Sequence, residues 1–182
     1  ANRDPEVRVV VITGSGRAFC AGDDMSSRPR AGDGERLMAP IPAGHENPIG
    51  TYEGLRHLSQ PVNAALRSLD KLSIAALNGI AIQTGLSLAL ACDFRIAAQS
   101  ARLGSATLRF GLLPDEGGQY LLVQHLAAAR AMDFLMRKRI VDATEALALG
   151  LVHEVVADAE LLPRSLELAR ELAEGPQVAM RL

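Results

Sequence analysis

The stretch that most constrains this chain is Val9-Val10-Val11-Ile12-Thr13-Gly14-Ser15-Gly16-Arg17-Ala18-Phe19-Cys20-Ala21-Gly22-Asp23-Asp24. From Val7 to Thr13 the run is apolar without alternation, which predicts a strand buried on both faces. Gly14 and Gly16 then let the backbone turn sharply, and a second small-residue turn follows at Ala21-Gly22. Bare N–H groups at such turns, at the start of a helix, are what a phosphate or an oxyanion needs. The dinucleotide fingerprint G-x-G-x-x-G is not met, because Phe19 takes the third glycine position. The region about twenty residues further on, where that fold needs an acidic residue on a second strand, is the loop Arg28 to Gly34. Alone, the stretch would amount to a buried strand with a tight turn.

A second segment follows the same order. Ile74-Ala75-Ala76-Leu77 enters the turn Asn78-Gly79, and a small-residue helix, Thr84 to Ala91, ends at Cys92-Asp93. Two strand-turn-helix units that each offer backbone N–H groups can converge on one carbonyl oxygen. The segments Thr13-Gly14-x-Gly16-Arg17-Ala18-Phe19-Cys20-Ala21-Gly22-x-Asp24 and Ala75-Ala76-x-Asn78-Gly79 through Ala89-x-Ala91-Cys92-Asp93 resemble the enoyl-CoA hydratase/isomerase (crotonase) family. Gly111-Leu112-Leu113-Pro114-x-x-Gly117-Gly118 and Ala143-x-x-Ala146-x-x-x-Gly150-Leu151-Val152 continue the resemblance in order over most of the chain.

Composition narrows the alternatives. Aromatic residues are only 3% of 182, so stacking platforms for bases are scarce and nucleic-acid binding is not expected. A net charge of −2 gives no global field that would select a polyanion. No apolar run is long enough to span a bilayer, and Ala1 to Glu6 is polar, unlike a signal peptide. Cys20 and Cys92 have no metal spacing and sit among apolar residues, which predicts two buried reduced thiols in a cytoplasmic protein without a metal.

The rest of the chain alternates strands and helices, predicting a single α/β domain over residues 1–182. Met25 to Asn47, rich in Pro, Gly and Arg, reads as a long mobile surface loop. Tyr52 to Leu69 has a helical stripe interrupted by Pro61, hence two helices or one kinked helix. Strands are expected at Phe94 to Ala97, with Arg102-Leu103 continuing the sheet, at Arg139 to Val141 and at Val152 to Val156. Helices are expected at Gly117 to Leu126, Ala128 to Met136, Ala143 to Leu149 and Leu161 to Glu174, the last stopped by Gly175-Pro176. The letters carry no visible internal repeat. The chain starts almost at the Val9 strand and ends within a helix, so it is expected to lack N-terminal strands and C-terminal helices that relatives carry.

The resemblance implies a crotonase-like spiral of β-β-α turns, assembled as a homotrimer or a dimer of trimers. It implies an acyl-CoA substrate, with no cofactor beyond the coenzyme A that the substrate carries. It assigns an oxyanion hole to the backbone N–H groups of Asp23 and Thr84, which would hold a thioester oxygen as it becomes an enolate. Thr84 stands where relatives often carry glycine; its backbone donor survives, but its side chain narrows the pocket. Substrate contacts are implied for Arg17, Ala18, Phe19, Ala21, Gly22, Asp24, Met25, Ile82, Gly85, Thr107 and Pro114. Arg17, and more weakly Arg28 and Arg30, are candidates to meet the CoA phosphates.

The acid and base depart from the family. The two glutamates that hydratases use fall here at Ser87 and Thr107, neither of which is a general base near neutral pH. The remaining carboxylates at a motif position are Asp115 and Glu116, on a turn before a helix. Asp115 is the expected proton shuttle and Glu116 the second candidate, against the alternative that Asp115 only caps the following helix. His45 and His57 could also supply an acid or base. Ser87 has no G-x-S-x-G elbow and is not a nucleophile. These residues favour double-bond isomerisation. Hydration in the broad sense, thioester hydrolysis and C–C cleavage stay open, as does a catalytically silent acyl-CoA-binding or assembly subunit.

Overall fold

In the computed structural model, residues 1–22, 55–111, 114 and 116–181 are described. Their strands form two four-stranded sheets. The first holds β1 (Val9–Thr13), β3 (Leu72–Leu77), β5 (Phe94–Ala98) and β8 (Glu154–Val156), in that order and all parallel. The second holds β2 (Ala18–Cys20), β4 (Ile80–Ile82) and β6 (Arg102–Gly104) in parallel, with β7 (Ile140–Asp142) antiparallel to β6. Each long strand of the first sheet is followed by a short strand of the second. After β4 and β6 the chain returns through α2 (Thr84–Ala91) and α3 (Gly118–Met136). The implied spiral of β-β-α turns is therefore present, since parallel strands need a crossover and here it consists of a short strand plus a helix. The remaining helices are α1 (Gln60–Arg67), α4 (Ala143–Ala148) and α5 (Leu161–Glu174).

Several sequence expectations need correction. β1 is not buried on both faces; it begins at Val9, lies at the edge of its sheet and is half-buried, with β3 beside it and α5 packed on it. The strand that is enclosed is its neighbour β3, where Ile74 to Leu77 are inaccessible. No helix follows the first glycine turn; β2 does, and β4 likewise separates Gly79 from α2. Arg102 and Leu103 do form a strand, but in the other sheet. Cys92 is buried, its thiol pushed up to about 11 chiefly by burial, whereas Cys20 is only half-buried. Pro61 sits in the first turn of α1, where its missing N–H costs nothing, and a π-type turn over Leu55–Ser59 leads into the helix.

Asn78 fastens the two sheets at their turns. Its Oδ1 accepts from Gly14 N at 3.0 Å, and its Nδ2 donates to Gly16 O at 3.0 Å and Ala18 O at 3.3 Å. The backbone of β2 then passes over Gly79 and Gly85 so closely that a Cβ would meet Arg17 O at 2.1 Å and Cys20 O at 2.0 Å. The Cys92-Asp93 end of α2 is structural. Asp93 Oδ2 accepts from Ser73 N at 2.7 Å and Ser73 Oγ at 2.8 Å. Buried Arg95 donates to Cys92 O at 2.6 Å and Leu151 O at 2.9 Å, placing its positive charge at the helix C-terminus.

Candidate active site

The two glycine turns meet. β2 ends at Cys20, and Gly22 has φ +93°. A Cβ on Gly22 would lie 3.2 Å from Gln83 Cβ and 3.3 Å from Ile82 O, so the first turn rests on the residue that precedes α2. Gln83 has φ 57° and ψ −114°, a conformation that costs a non-glycine residue of order 1–3 kcal/mol. Its surroundings hold it there: its N–H donates to Gly104 O at 3.0 Å and its carbonyl accepts from Ser87 N at 3.0 Å. Thr84 opens α2 immediately afterwards, at the positive end of the helix dipole.

One turn into α2, Ser87 is 1% exposed. Its Oγ donates to Glu116 Oε1 at 2.6 Å, a charge-assisted length, and Glu116 is itself 4% exposed. Gln83 Nε2 donates more weakly to the same carboxylate, at 3.3 and 3.4 Å, and Asn63 Nδ2 donates to Glu116 O at 2.9 Å. These donors fix both amides, since a flip would turn an oxygen toward an oxygen; among the described residues, Asn63 Oδ1 and Gln83 Oε1 are buried without a hydrogen-bond partner. The glycine pair after Glu116 makes this possible. Gly117 takes φ +115°, and a Cβ on Gly118 would meet Ser87 Oγ at 2.4 Å. Between α1 and the start of α3 lies a cavity of about 340 Å³, lined by Gln60, Asn63, Arg67, Glu116, Tyr120 and Leu121.

The sequence pattern of the enoyl-CoA hydratase/isomerase family matches residues 1–182. The chain is 34% identical over 182 residues to the crotonyl-CoA hydratase of Syntrophomonas wolfei, covering 100% of this chain and 64% of the relative. It is 34% identical over 180 residues to the 1,2-epoxyphenylacetyl-CoA isomerase of Escherichia coli, covering 99% of this chain and 64% of that relative. The crystal structure of an enoyl-CoA hydratase from Bacillus anthracis superposes with a TM-score of 0.84 at 34% identity, over 99% of this chain and 64% of that one. The chain belongs to the enoyl-CoA hydratase/isomerase family. It spans less than two thirds of the length of these relatives.

Of the positions the family implies, the structure brings Gly22, Ile82, Thr84 and Gly85 together where β2 meets α2. Ala18 and Phe19 are half-buried in β2, with Phe19 packed against the core, and Ala21 and Arg17 are exposed. Pro114 is buried, and its carbonyl accepts from Gln119 N at 3.3 Å. Thr107 opens a short 3-10 turn, half-buried, 3.5 Å from Ser105 Oγ. His57 is exposed in the turn before α1. Asp23, Asp24, Met25, Arg28, Arg30, His45 and Asp115 lie outside the described residues. Gln83 and Asn63 were missed by sequence reasoning. The signal for Gln83 was its place between the β4 run and the helix start; Asn63 gave none beyond being a polar residue on the inward stripe of α1.

Proposed function

We propose that this chain forms the acyl-CoA site of a double-bond isomerase, which polarises a thioester carbonyl through two backbone N–H groups, Asp23 and Thr84. The observation that carries the reading is the close approach of Gly22 to Gln83, where even a Cβ added to the glycine would lie 3.2 Å from Gln83 Cβ, because it puts the residues before each donor side by side. Removing one such donor costs about 3 kcal/mol of transition-state stabilisation in enzymes that use them. The acid/base group is a carboxylate of the turn before α3, where Asp115, the shuttle expected from the sequence, stands next to Glu116. Ser87 and Thr107 in place of the hydratase glutamates argue for isomerisation, which needs one proton carrier, over addition of water, which uses two. Hydration is the second reading, favoured by the name of the Syntrophomonas relative. A homotrimeric or dimer-of-trimers assembly in the cytoplasm belongs to the same proposal, and no cofactor is required.

Supplied with a 3-enoyl-CoA in deuterated water, the protein is expected to form the 2-enoyl-CoA and to exchange the α-proton. Faster hydration of a 2-enoyl-CoA than isomerisation of the 3-enoyl-CoA would overturn the proposal. Asp115→Asn tests the sequence-derived shuttle: unchanged exchange would remove Asp115 from the mechanism.

A further inference from the structure

We infer that the cavity between α1 and α3 selects an acyl chain that ends in a carboxylate, held at the cavity mouth by Arg67 and Tyr120; the inference rests on the functional reading above. A helix face turned toward a neighbouring element is ordinarily apolar. Gln60, Asn63, Ala64 and Arg67 follow at the spacing that puts them on one face of α1, and all four line this cavity. Three of the four are polar, and Asn63, 5% exposed, is the buried residue of the helix. A chain that was apolar to its tip would lay hydrocarbon against those polar groups and give them nothing to bond.

The charges around the cavity set the sign of the occupant's tip. The Glu116 carboxylate is taken up by Ser87 Oγ at 2.6 Å and by Gln83 Nε2 at 3.3 and 3.4 Å. Among the described residues the Arg67 guanidinium makes no hydrogen bond or ion pair. Burial and then Arg95 hold down the pKa of His125 on α3, and the Arg67 charge adds to that effect, so the guanidinium lies on the α3 side of its helix. From α3 itself, Tyr120 Oη accepts from Gln124 Nε2 at 2.8 Å, which leaves its own O–H to donate. Donors thus approach the mouth from both helices, and one anionic acceptor satisfies them together.

Glu116 ties this cavity to the thioester end. It is bonded to Ser87, three residues past Thr84 on α2, and it also lines the cavity. An acyl chain that runs from the proposed oxyanion donors therefore passes Glu116 and ends between α1 and α3. The volume of about 340 Å³ is near the lower end of the ~300–1,000 Å³ found for small-molecule sites, which suits a short chain.

The test measures, by calorimetry on the intact protein, the binding of two saturated thioesters of equal chain length, hexanoyl-CoA and adipyl-CoA, the second ending in a carboxylate. Adipyl-CoA should bind roughly tenfold tighter, the size of one hydrogen bond to a charged group. Raising the salt to about 0.5 M should shrink that preference, because the mouth is open to solvent. Arg67→Gln should bring the two affinities within about twofold of each other, and Arg67→Lys should keep most of the difference. Tyr120→Phe should reduce the preference by about threefold. Arg67 and Tyr120 are both exposed, so these substitutions leave the core as it is. Equal affinities in the parent, or a preference that survives Arg67→Gln, would overturn the inference and leave the acyl-CoA reading standing. An equal loss of both thioesters in Arg67→Gln would assign the guanidinium to the coenzyme A phosphates and would also overturn it. A parent protein that binds neither thioester would overturn the functional reading, and the inference with it.

Discussion

His153 is an acceptor by necessity, because its Nδ1 takes the backbone N–H of Arg95 at 3.1 Å and its ring packs 5.6 Å from Phe94. Burial, and then the nearby Arg95 guanidinium, hold its pKa below the ordinary 6.5. The same two causes lower His125, whose Nε2 lies 3.2 Å from Leu90 O. Below pH 6.5 the unfolded chain therefore binds protons that the native protein does not. The stability these histidines contribute is fully present above pH 6.5 and is lost as pH falls through their lowered native values. Urea midpoints should decline with pH in that range, and His153→Asn, which keeps a carbonyl acceptor, should decline less. An identical slope in the variant would show that His153 does not couple to folding. Ser87 and Glu116 show the limit of the letters at this scale. They are 29 positions apart, and a polar pair joining two elements leaves no local period. The sequence supplied both residues and no reason to pair them.

At the scale of elements, what could be read followed from run length and punctuation. α2 and α5 have the bounds that their letters predict, Thr84–Ala91 and Leu161–Glu174. Small and apolar residues, interrupted only by Ser87, run from Gly85 to Asp93 in the first case, and Gly175-Pro176 stops the second. The two helices expected on either side of Ala127 are present as the two halves of α3, which meet at a kink where Ala127 leaves helical geometry with φ 59° and ψ 164°. β2 and β4 were missed because three residues are too few to establish a period and glycines border both. Their placement depends instead on backbone contact, which gives a direct test. Gly85→Ala forces a Cβ onto Cys20 O and should cost about 3 kcal/mol. Gly111→Ala, at φ +74° with none of the described residues within 4 Å of an added Cβ, should cost about 1 kcal/mol of backbone strain. Chemical denaturation of both variants measures the difference, and equal losses would mean that β2 does not press on α2 as described.

For the whole molecule, the spiral explains why no repeat was visible in the sequence. Each turn sends one strand to each sheet, and the requirements on a turn are backbone clearance and a buried long strand, which many sequences satisfy. The same arrangement leaves the ends of β2 and β4 adjacent, with the start of α2 beneath and the turn before α3 alongside. Among the described residues no helix is long and apolar enough to cross a membrane. The site thus depends on the fold bringing distant backbone segments to one point rather than on any single motif. The most direct measurement is a crystal structure of the intact protein with a bound CoA thioester. The account predicts the thioester oxygen about 2.7–3.1 Å from both Asp23 N and Thr84 N. A thioester oxygen that met neither nitrogen, or an acyl group bound away from the junction of β2 and α2, would contradict it.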